Sequence, residues 1–272
     1  MTREARDATF DTSDGSAIAF TLHFAPRAGA PRLVLIHSLA LDRGVWDGVV
    51  ATVGSDVELL TYDCRGHGRS ARRATTFTAE LFARDLAELL DHVGWENAAI
   101  GGCSMGGCVA MAFAGLFPAR VNGLGLVDTT AWYGPQAAGQ FRARAAAARA
   151  RGMSGLVDFQ VSRWFSDTFR RDHPELVSRA TQTFLANDFD CYAASCALLG
   201  DADLRPYLQA FRMPVAIMVG EEDQATPTEM ARQLHEAIPH STLTILPGAR
   251  HLTPIECRDP ISSQLLTVLR RS

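Results

Sequence analysis

Residues 98–111, AAIGGCSMGGCVAM, join a short apolar run to a stretch that is compatible with a helix. Residues 102–106 between them have the pattern G-x-S-x-G, with Ser104 at the centre. Between a strand and a helix, this pattern is typical of a nucleophile elbow, a tight turn that presents a serine hydroxyl. Its glycines leave room for the turn because they carry no Cβ atom. A glycine-rich turn with a chance serine is the alternative interpretation of these five residues alone.

Further apolar runs on both sides of this stretch indicate buried strands. These runs are residues 33–36, 57–62, 123–127, 214–219 and 242–246. Residues 17–24 alternate between polar and apolar, as an edge-type antiparallel strand does, and residues 77–93 form an amphipathic helical pattern. Strands that alternate with helices predict an α/β fold with a mainly parallel sheet and helices on both faces.

Residues 131–205 differ from the rest because they contain helical patterns and no convincing strand. The sequence therefore predicts a core domain of residues 1–130 and 206–272, and a helical insert of residues 131–205. Ligands of open parallel sheets bind beyond the carboxyl ends of the strands. Because the insert leaves the sheet at that end, after Asp128, we expect it to form a lid over the site.

The composition narrows the classes of function. With 47% hydrophobic and 21% charged residues among 272, the chain is typical of a globular protein with a substantial core. A net charge of −4 implies no bulk attraction to nucleic acid or membranes. All 26 basic residues are arginine, which excludes a Schiff-base lysine and a P-loop lysine. Any site for an anionic group must therefore use arginine, whose planar fork suits carboxylates.

The cysteines and the termini bear on cofactors and location. Six cysteines show neither a C-x-x-C pair nor metal-finger spacing, so they are expected to be free thiols, and no metal or organic cofactor is implied. Residues 1–10 lack the apolar region of a signal peptide, and no apolar run approaches the roughly 20 residues of a membrane span. These patterns predict a cytoplasmic protein with a small-molecule substrate, and none indicates an oligomeric state.

A serine nucleophile needs a base, and the base needs an acid to orient it. Asp223 follows the predicted strand at 214–219, and His251 lies in the loop between the last strand and the last helix. The chain order Ser104, Asp223, His251 is the order expected after a nucleophile elbow of this type. Asp128, which also ends a strand, is the alternative acid, and the other seven histidines are assigned to structural or surface positions.

Two backbone N–H groups are expected to bind the oxyanion that forms on the substrate carbonyl. Met105 begins the helix after the elbow, and Leu39 lies in the turn after the strand at 33–36.

Residues 66–71 (GHGRSA) also match a loose dinucleotide-binding pattern. They lie outside the first strand–helix–strand unit and open no helix, so a nucleotide site there is not expected.

With these residues assigned, the chain resembles the α/β-hydrolase superfamily along its whole length, and 3-oxoadipate enol-lactonases more narrowly. Two features depart from the narrower family. His37 stands where that family often has asparagine, and residues 128–133 (DTTAWY) are more aromatic. The narrower resemblance lies in residues 37–42 (HSLALD) with Trp46, 62–70 (YDCRGHGRS), 104–107 (SMGG), 163–165 (RWF), 201–206 (DADLRP) and the loops of Asp223 and His251.

The resemblance implies hydrolysis of a small carboxylated enol-lactone in the breakdown of aromatic compounds. Its carboxylate would need an arginine, for which Arg163 in the insert is the first candidate and Arg65 the second. Arg163 on a solvated helix face, and Arg65 as a brace of its own loop, are the structural alternatives. Trp132 and Trp164 are expected either in the pocket wall or in the core of the insert.

Three other functions remain open at this stage. A carboxylesterase or aryl esterase, and a carbon–carbon bond hydrolase acting on dienoates, use the same three residues. A ligand-binding protein with slow turnover is the alternative from a different class. The presence of Ser104, Asp223 and His251 together argues against a protein that only binds, because binding alone does not require all three.

Overall fold

The computed structural model describes residues 4–271, in which eight strands form one sheet. The strands are β1 (Ala5–Asp11), β2 (Ala17–His23), β3 (Arg32–Ile36), β4 (Glu58–Tyr62), β5 (Ala98–Cys103), β6 (Val121–Val127), β7 (Val215–Gly220) and β8 (Thr242–Leu246). Their order is β1-β2-β4-β3-β5-β6-β7-β8. Strands β3 to β8 run parallel, and β1 and β2 are antiparallel to their neighbours. The predicted α/β fold with a mainly parallel sheet is confirmed.

Helices connect the parallel strands and cover both faces of the sheet. The α-helices are α1 (Asp47–Val53), α2 (Ala79–His92), α3 (Met105–Leu116), α4 (Ala137–Arg151), α5 (Val157–Trp164), α6 (Asp167–Asp172), α7 (Pro174–Leu185), α8 (Phe189–Asp201), α9 (Arg205–Leu208), α10 (Thr228–Ala237), α11 (Thr253–Glu256) and α12 (Arg258–Arg271), with 3-10 turns at Arg43–Trp46, Pro118–Arg120 and Met153–Leu156. A Cβ atom added at Gly101 would contact Leu265 of α12, and one at Gly102 would strike Gly106 of α3. Since consecutive strand residues face opposite sides, α3 and α12 cover opposite faces.

Burial explains why the central strands read as continuous apolar runs. Every residue of β5 and β7 is buried, as expected for parallel strands with helices on both faces. Strand β1 is different, since most of its residues are exposed and only Phe10 is buried. The chain therefore has an additional edge strand, and the prediction that residues 17–24 form the edge was wrong. Strand β2 pairs with β1 on one side and with β4 on the other.

Helices α4 to α8 form a separate segment between β6 and β7. Its two ends meet where Leu204 N donates a hydrogen bond of 2.9 Å to Ala131 O. Next to this bond, Trp132 and Asp203 form an isolated antiparallel bridge. The segment therefore departs and returns at one point, beyond the carboxyl end of β6, and α9 then packs against α3 before the chain enters the amino end of β7. Among residues 4–271, no helix combines the length and hydropathy needed to cross a bilayer.

Candidate active site

Ser104 lies in the sharp turn between β5 and α3. Its backbone has φ 54° and ψ −114°, a conformation that a residue with a side chain rarely adopts. Glycines on both sides permit this turn. A Cβ atom at Gly102 would lie 2.1 Å from the carbonyl oxygen of Gly106, and one at Gly106 would lie 2.2 Å from that of Ile36. The turn presents the serine side chain beyond the end of the strand, as the sequence predicts.

A continuous hydrogen-bond chain links Ser104, His251 and Asp223. His251 Nε2 lies 2.9 Å from Ser104 Oγ, and His251 Nδ1 lies 2.7 Å from Asp223 Oδ2. All three residues are at most 5% exposed. They come from the turn after β5, the turn after β7 and the loop between β8 and α11, so the fold brings together residues that are 147 positions apart.

The carboxylate of Asp223 is held in one orientation by its own turn. Its Oδ1 accepts hydrogen bonds from the backbone N–H groups of Ala225 and Thr226, at 2.7 and 2.9 Å. The Thr226 hydroxyl donates to Oδ2 at 2.8 Å. Burial acts to raise the pKa of Asp223, but the charge of His251 and these hydrogen bonds outweigh it and lower that pKa. The carboxylate is therefore ionised and positioned to hold Nδ1–H of His251.

Asp128, the alternative acid, is engaged elsewhere. Its Oδ1 accepts from Gly220 N at 3.2 Å, and its Oδ2 accepts from the backbone and hydroxyl of Thr253 at 2.9 and 2.7 Å. Burial and the neighbouring Asp223 charge raise the pKa of Asp128 well above its ordinary value. Asp128 thus ties the turn after β7 to the start of α11, and the histidine bonds Asp223 instead.

The two residues expected to donate to the oxyanion come from different loops, Met105 directly after Ser104 and Leu39 after β3. Met105 is the first residue of α3, where backbone N–H groups have no partner within the helix. Leu39 follows β3 and lines the same cavity as Ser104. The next residue, Ala40, has φ 59°, so the chain turns sharply after Leu39.

Ser104 and His251 open into a cavity of about 580 Å³. The helical segment supplies most of its wall, through α4, α5, the intervening 3-10 turn and the start of the segment. Its lining combines apolar and polar side chains, as the binding site of a small organic molecule does. The lining includes Leu39, Tyr133, Phe141, Leu156, Phe159, Trp164 and Leu199, together with the arginines Arg144, Arg151 and Arg163.

Arg163 and Arg144 both line this cavity, and both contact the ring of Phe159. Their guanidinium groups lie 5.1 and 5.4 Å from that ring. Burial and the charge of Arg144 lower the pKa of Arg163, although a guanidinium stays protonated at neutral pH. Within residues 4–271, neither arginine forms an ion pair with a carboxylate.

Arg65, the second candidate for the carboxylate, lies away from the cavity. Its Nε and Nη2 donate to both oxygens of Asp85, at 2.7 and 2.5 Å, and Nη1 donates to Asp14 at 2.8 Å. Its side chain is 3% exposed. A buried arginine that already has two carboxylate partners is not available to a ligand, so Arg65 braces its loop, the structural alternative.

The two tryptophans of the helical segment lie in different places. Trp164 lines the cavity, and its ring contacts Phe165 and Phe184 edge-on. Trp132 lies at the junction with the sheet, where the Arg205 guanidinium stacks over its ring at 3.9 Å. The structure therefore places Trp164 in the pocket wall and leaves Trp132 outside the cavity lining.

Two residues of the cavity were not predicted to belong to the site. Tyr133 lines the cavity, and its hydroxyl interacts with the side chains of Ser104 and Cys108, while burial raises its pKa. The unusually aromatic segment at 128–133 was the only sequence signal for Tyr133. Arg144 belongs to an alanine- and arginine-rich helix in which no pattern marks one arginine over another.

Comparisons with known proteins identify the family of this chain. The family model of the alpha/beta hydrolase fold matches residues 31–256. The chain is 30% identical over 261 residues to 3-oxoadipate enol-lactonase 2 of Acinetobacter baylyi, covering 96% of this chain and 97% of the relative.

Solved structures give the same result. An enol-lactonase from Burkholderia xenovorans LB400 superposes with a TM-score of 0.90 at 27% identity, covering 97% of this chain and all of the other. A hydrolase from Pseudomonas aeruginosa also has a TM-score of 0.90, at 30% identity, with 97% and 98% covered. The model match, the relatives and the fold show that the chain belongs to the α/β-hydrolase family and is a hydrolase of that fold.

Proposed function

We propose that the protein is a serine hydrolase that opens a small carboxylated lactone, most closely an enol-lactone of the 3-oxoadipate type. One observation carries this proposal: the Ser104–His251–Asp223 chain opens into a cavity whose wall holds arginines that have no carboxylate partner among the described residues. The relatives named 3-oxoadipate enol-lactonase support the same class of substrate.

In the first step, Ser104 Oγ attacks the ring carbonyl of the lactone while His251 Nε2 takes the hydroxyl proton. Asp223 holds the other ring nitrogen and stabilises the imidazolium that forms. The carbonyl oxygen becomes an oxyanion, to which the N–H groups of Leu39 and Met105 donate. The helix dipole of α3 favours the same negative charge.

Collapse of this intermediate breaks the bond between the acyl carbon and the ring oxygen. The leaving oxygen is an enolate, which takes the proton from His251 and becomes a ketone by tautomerisation. The substrate is then an ester of Ser104. His251 activates a water molecule that attacks this ester, and the products are a free carboxylic acid and the regenerated serine. Ser104, His251 and water account for every proton and electron pair in this sequence.

The substrate carboxylate is assigned to Arg163 and Arg144. Both guanidinium groups line the cavity, and each can donate paired N–H bonds to a carboxylate. Their mutual repulsion is relieved when an anion binds between them. Arg151, which lines the same cavity, adds positive potential at the exposed end.

Residues 131–205 are assigned the role of a lid over a core of residues 1–130 and 206–272. Helices α4 and α5 of this segment form much of the cavity wall, including Phe141 and Trp164. His251 N and Leu252 N donate to the carbonyls of Arg163 and Trp164 at 3.4 and 3.0 Å, which couples the end of α5 to the histidine loop. A lid over the cavity limits contact with bulk solvent and so strengthens the hydrogen bonds to the oxyanion, while the water that hydrolyses the ester still enters.

The test is turnover of four substrates by the wild type and by Ser104→Ala, with Ser178→Ala as the matched control on an exposed position. The substrates are an enol-lactone made in situ from a muconate, short p-nitrophenyl esters, an unactivated lactone and a dienoate with a cleavable carbon–carbon bond. Fast enol-lactone loss that is abolished only in Ser104→Ala is the expected result. Ester or dienoate turnover with an inert enol-lactone would refute the substrate class, and full activity of Ser104→Ala would refute the serine mechanism.

A further inference from the structure

The turn that carries the Leu39 donor is held by two side chains outside the Ser104–His251–Asp223 chain. We define residues 38–40 as the oxyanion turn. Ser38 and Ala40 are buried, and Ala40 has φ 59°, a backbone conformation that a residue with a Cβ atom adopts at a cost. Such a turn persists only where its surroundings hold it in place.

His37 holds the oxyanion turn from the side of the sheet. Its Nε2 accepts a hydrogen bond from Cys64 N at 2.9 Å, so Nδ1 carries the proton of the neutral ring. Nδ1–H then donates to the carbonyl oxygen of Ser38 at 2.7 Å. The ring is fully buried, and burial lowers its pKa, which keeps this neutral form.

The Ser38 carbonyl and the Leu39 N–H belong to one peptide unit. A peptide unit is planar and trans, so its C=O and N–H bonds point in opposite directions. Because His37 fixes the carbonyl end, it also fixes the direction of the Leu39 N–H at the other end. Ser38 and Leu39 both line the cavity that holds Ser104.

Asn187 holds the oxyanion turn from the side of the helical segment. Its Nδ2 donates to Ala40 O at 2.7 Å and lies 3.0 Å from the carbonyl oxygens of Thr183 and Phe184 at the end of α7. Three carbonyl neighbours require the NH₂ group at this position, which settles the orientation of the amide. Asn187 thus ends α7 and at the same time fastens the turn.

We propose that Asn187 and His37 are positioning residues that aim the Leu39 N–H at the oxyanion. The inference rests on the proposed function, in which attack by Ser104 on the substrate carbonyl places an oxyanion at this point. Since Asn187 comes from between α7 and α8, the donor is correctly placed only when the helical segment is docked on the core. The segment then contributes to the chemical step as well as to substrate binding.

Asn187→Asp is the primary test, because it keeps the shape of the side chain and removes both N–H donors. We expect kcat to fall about 10- to 100-fold, with KM nearly unchanged. This loss is smaller than the roughly 100- to 1,000-fold loss that follows when an oxyanion donor is removed altogether, because the Leu39 N–H is misdirected and not removed. Inhibition by phenylboronic acid, which forms a tetrahedral adduct with a serine hydroxyl, should weaken by the same factor as kcat/KM. Ala186→Gly is the control, because it loosens the end of α7 and leaves the bond to Ala40 in place.

His37 provides an independent pair of variants. His37→Asn retains an N–H at the position of Nδ1 and should keep most of the activity, whereas His37→Leu removes it and should behave like Asn187→Asp. If Asn187→Asp keeps wild-type kcat, or loses kcat without weaker boronate inhibition, the inference is wrong. Equal losses in the two His37 variants would also overturn it. Ser104→Ala separates the failures, because an active Ser104→Ala refutes the proposed function itself.

Discussion

Replacing Arg144 by methionine tests how the cavity recognises its substrate. The Arg144 guanidinium lies over the rings of Phe141 and Phe159, and methionine, an apolar side chain of similar length, can still pack there while it removes the charge. No hydrogen bond or ion pair of the Arg144 side chain would be broken among the described residues. We therefore expect a protein that folds normally and binds an anionic substrate less tightly.

The size of the effect follows from the placement of the two arginines. A hydrogen bond to a charged group contributes about 1.5–3 kcal/mol. At about 1.4 kcal/mol for each factor of ten, this corresponds to roughly 10- to 150-fold in affinity. Both arginines are half-buried, so solvent screens the interaction and the lower end, about 10-fold for each, is expected.

The loss should appear in KM, with kcat nearly unchanged. The carboxylate is remote from the reacting carbonyl, so it is bound equally in the ground state and in the transition state. The assay compares the carboxylated enol-lactone with an uncharged enol-lactone that has the same ring and a methyl group in place of the acidic arm. Only the charged substrate should lose affinity.

Two further variants complete this experiment. Arg149→Met is the matched control, because Arg149 lies on the same helix, pairs with Asp190 and is exposed outside the cavity. Arg163→Met should raise KM in the same way, but Arg163 also donates to Gln224 O, beside Asp223, so a moderate loss of kcat is expected as well. An equal loss for both substrates in Arg144→Met would show that Arg144 does not bind the carboxylate, and the reasoning would be refuted.

Two other predictions follow from the acids and from a buried histidine. Asp223→Asn should lower kcat about 10⁴-fold, as loss of the acid does in serine proteases, and Asp128→Asn should cost less than about 10-fold; the reverse ranking would assign the acid to Asp128. Burial and then the neighbouring His37 lower the pKa of His67 to about 3, so its protonation favours the unfolded chain as the pH falls below the ordinary histidine value near 6.5. Urea unfolding should therefore show a free energy of unfolding about 2 kcal/mol lower at pH 5 than at pH 7 because of His67, and His67→Gln should remove that part of the pH dependence. If the free energy of unfolding of His67→Gln depends on pH as steeply as that of the wild type, the ring is not buried in its neutral form.

The parts of the fold that the sequence predicts are those with local causes. Parallel strands such as β5 and β7 are covered on both faces, so their residues are apolar or glycine and form a continuous run that can be recognised in the sequence. The elbow is equally visible, because its backbone geometry demands glycine at 102 and 106. Strand β1 was missed because its pairing with β2 uses backbone groups, and its exposed side chains include arginine and aspartate.

The arginine that binds a substrate carboxylate could not be identified from local sequence. With no lysine in the chain, arginine was the only choice, but one sequence contains 26 of them. Arg163 is at the end of α5, next to a cavity residue, and the structure brings it to the wall. Arg65 was excluded only by Asp14 and Asp85, which are 51 and 20 positions away. Arg144 faces the cavity because of how α4 packs on α8, and that packing has no local signature.

The oxyanion turn depends on both kinds of cause. The Leu39 donor was predicted from its place after a buried strand, which is a local property. Its orientation depends on Cys64 N, which sets the His37 tautomer, and on Asn187, which lies 147 positions beyond Ala40. Asn187 and Arg163 both come from the helical segment, so in the proposed mechanism its docking on the sheet positions the oxyanion donor and supplies the cation for the substrate together.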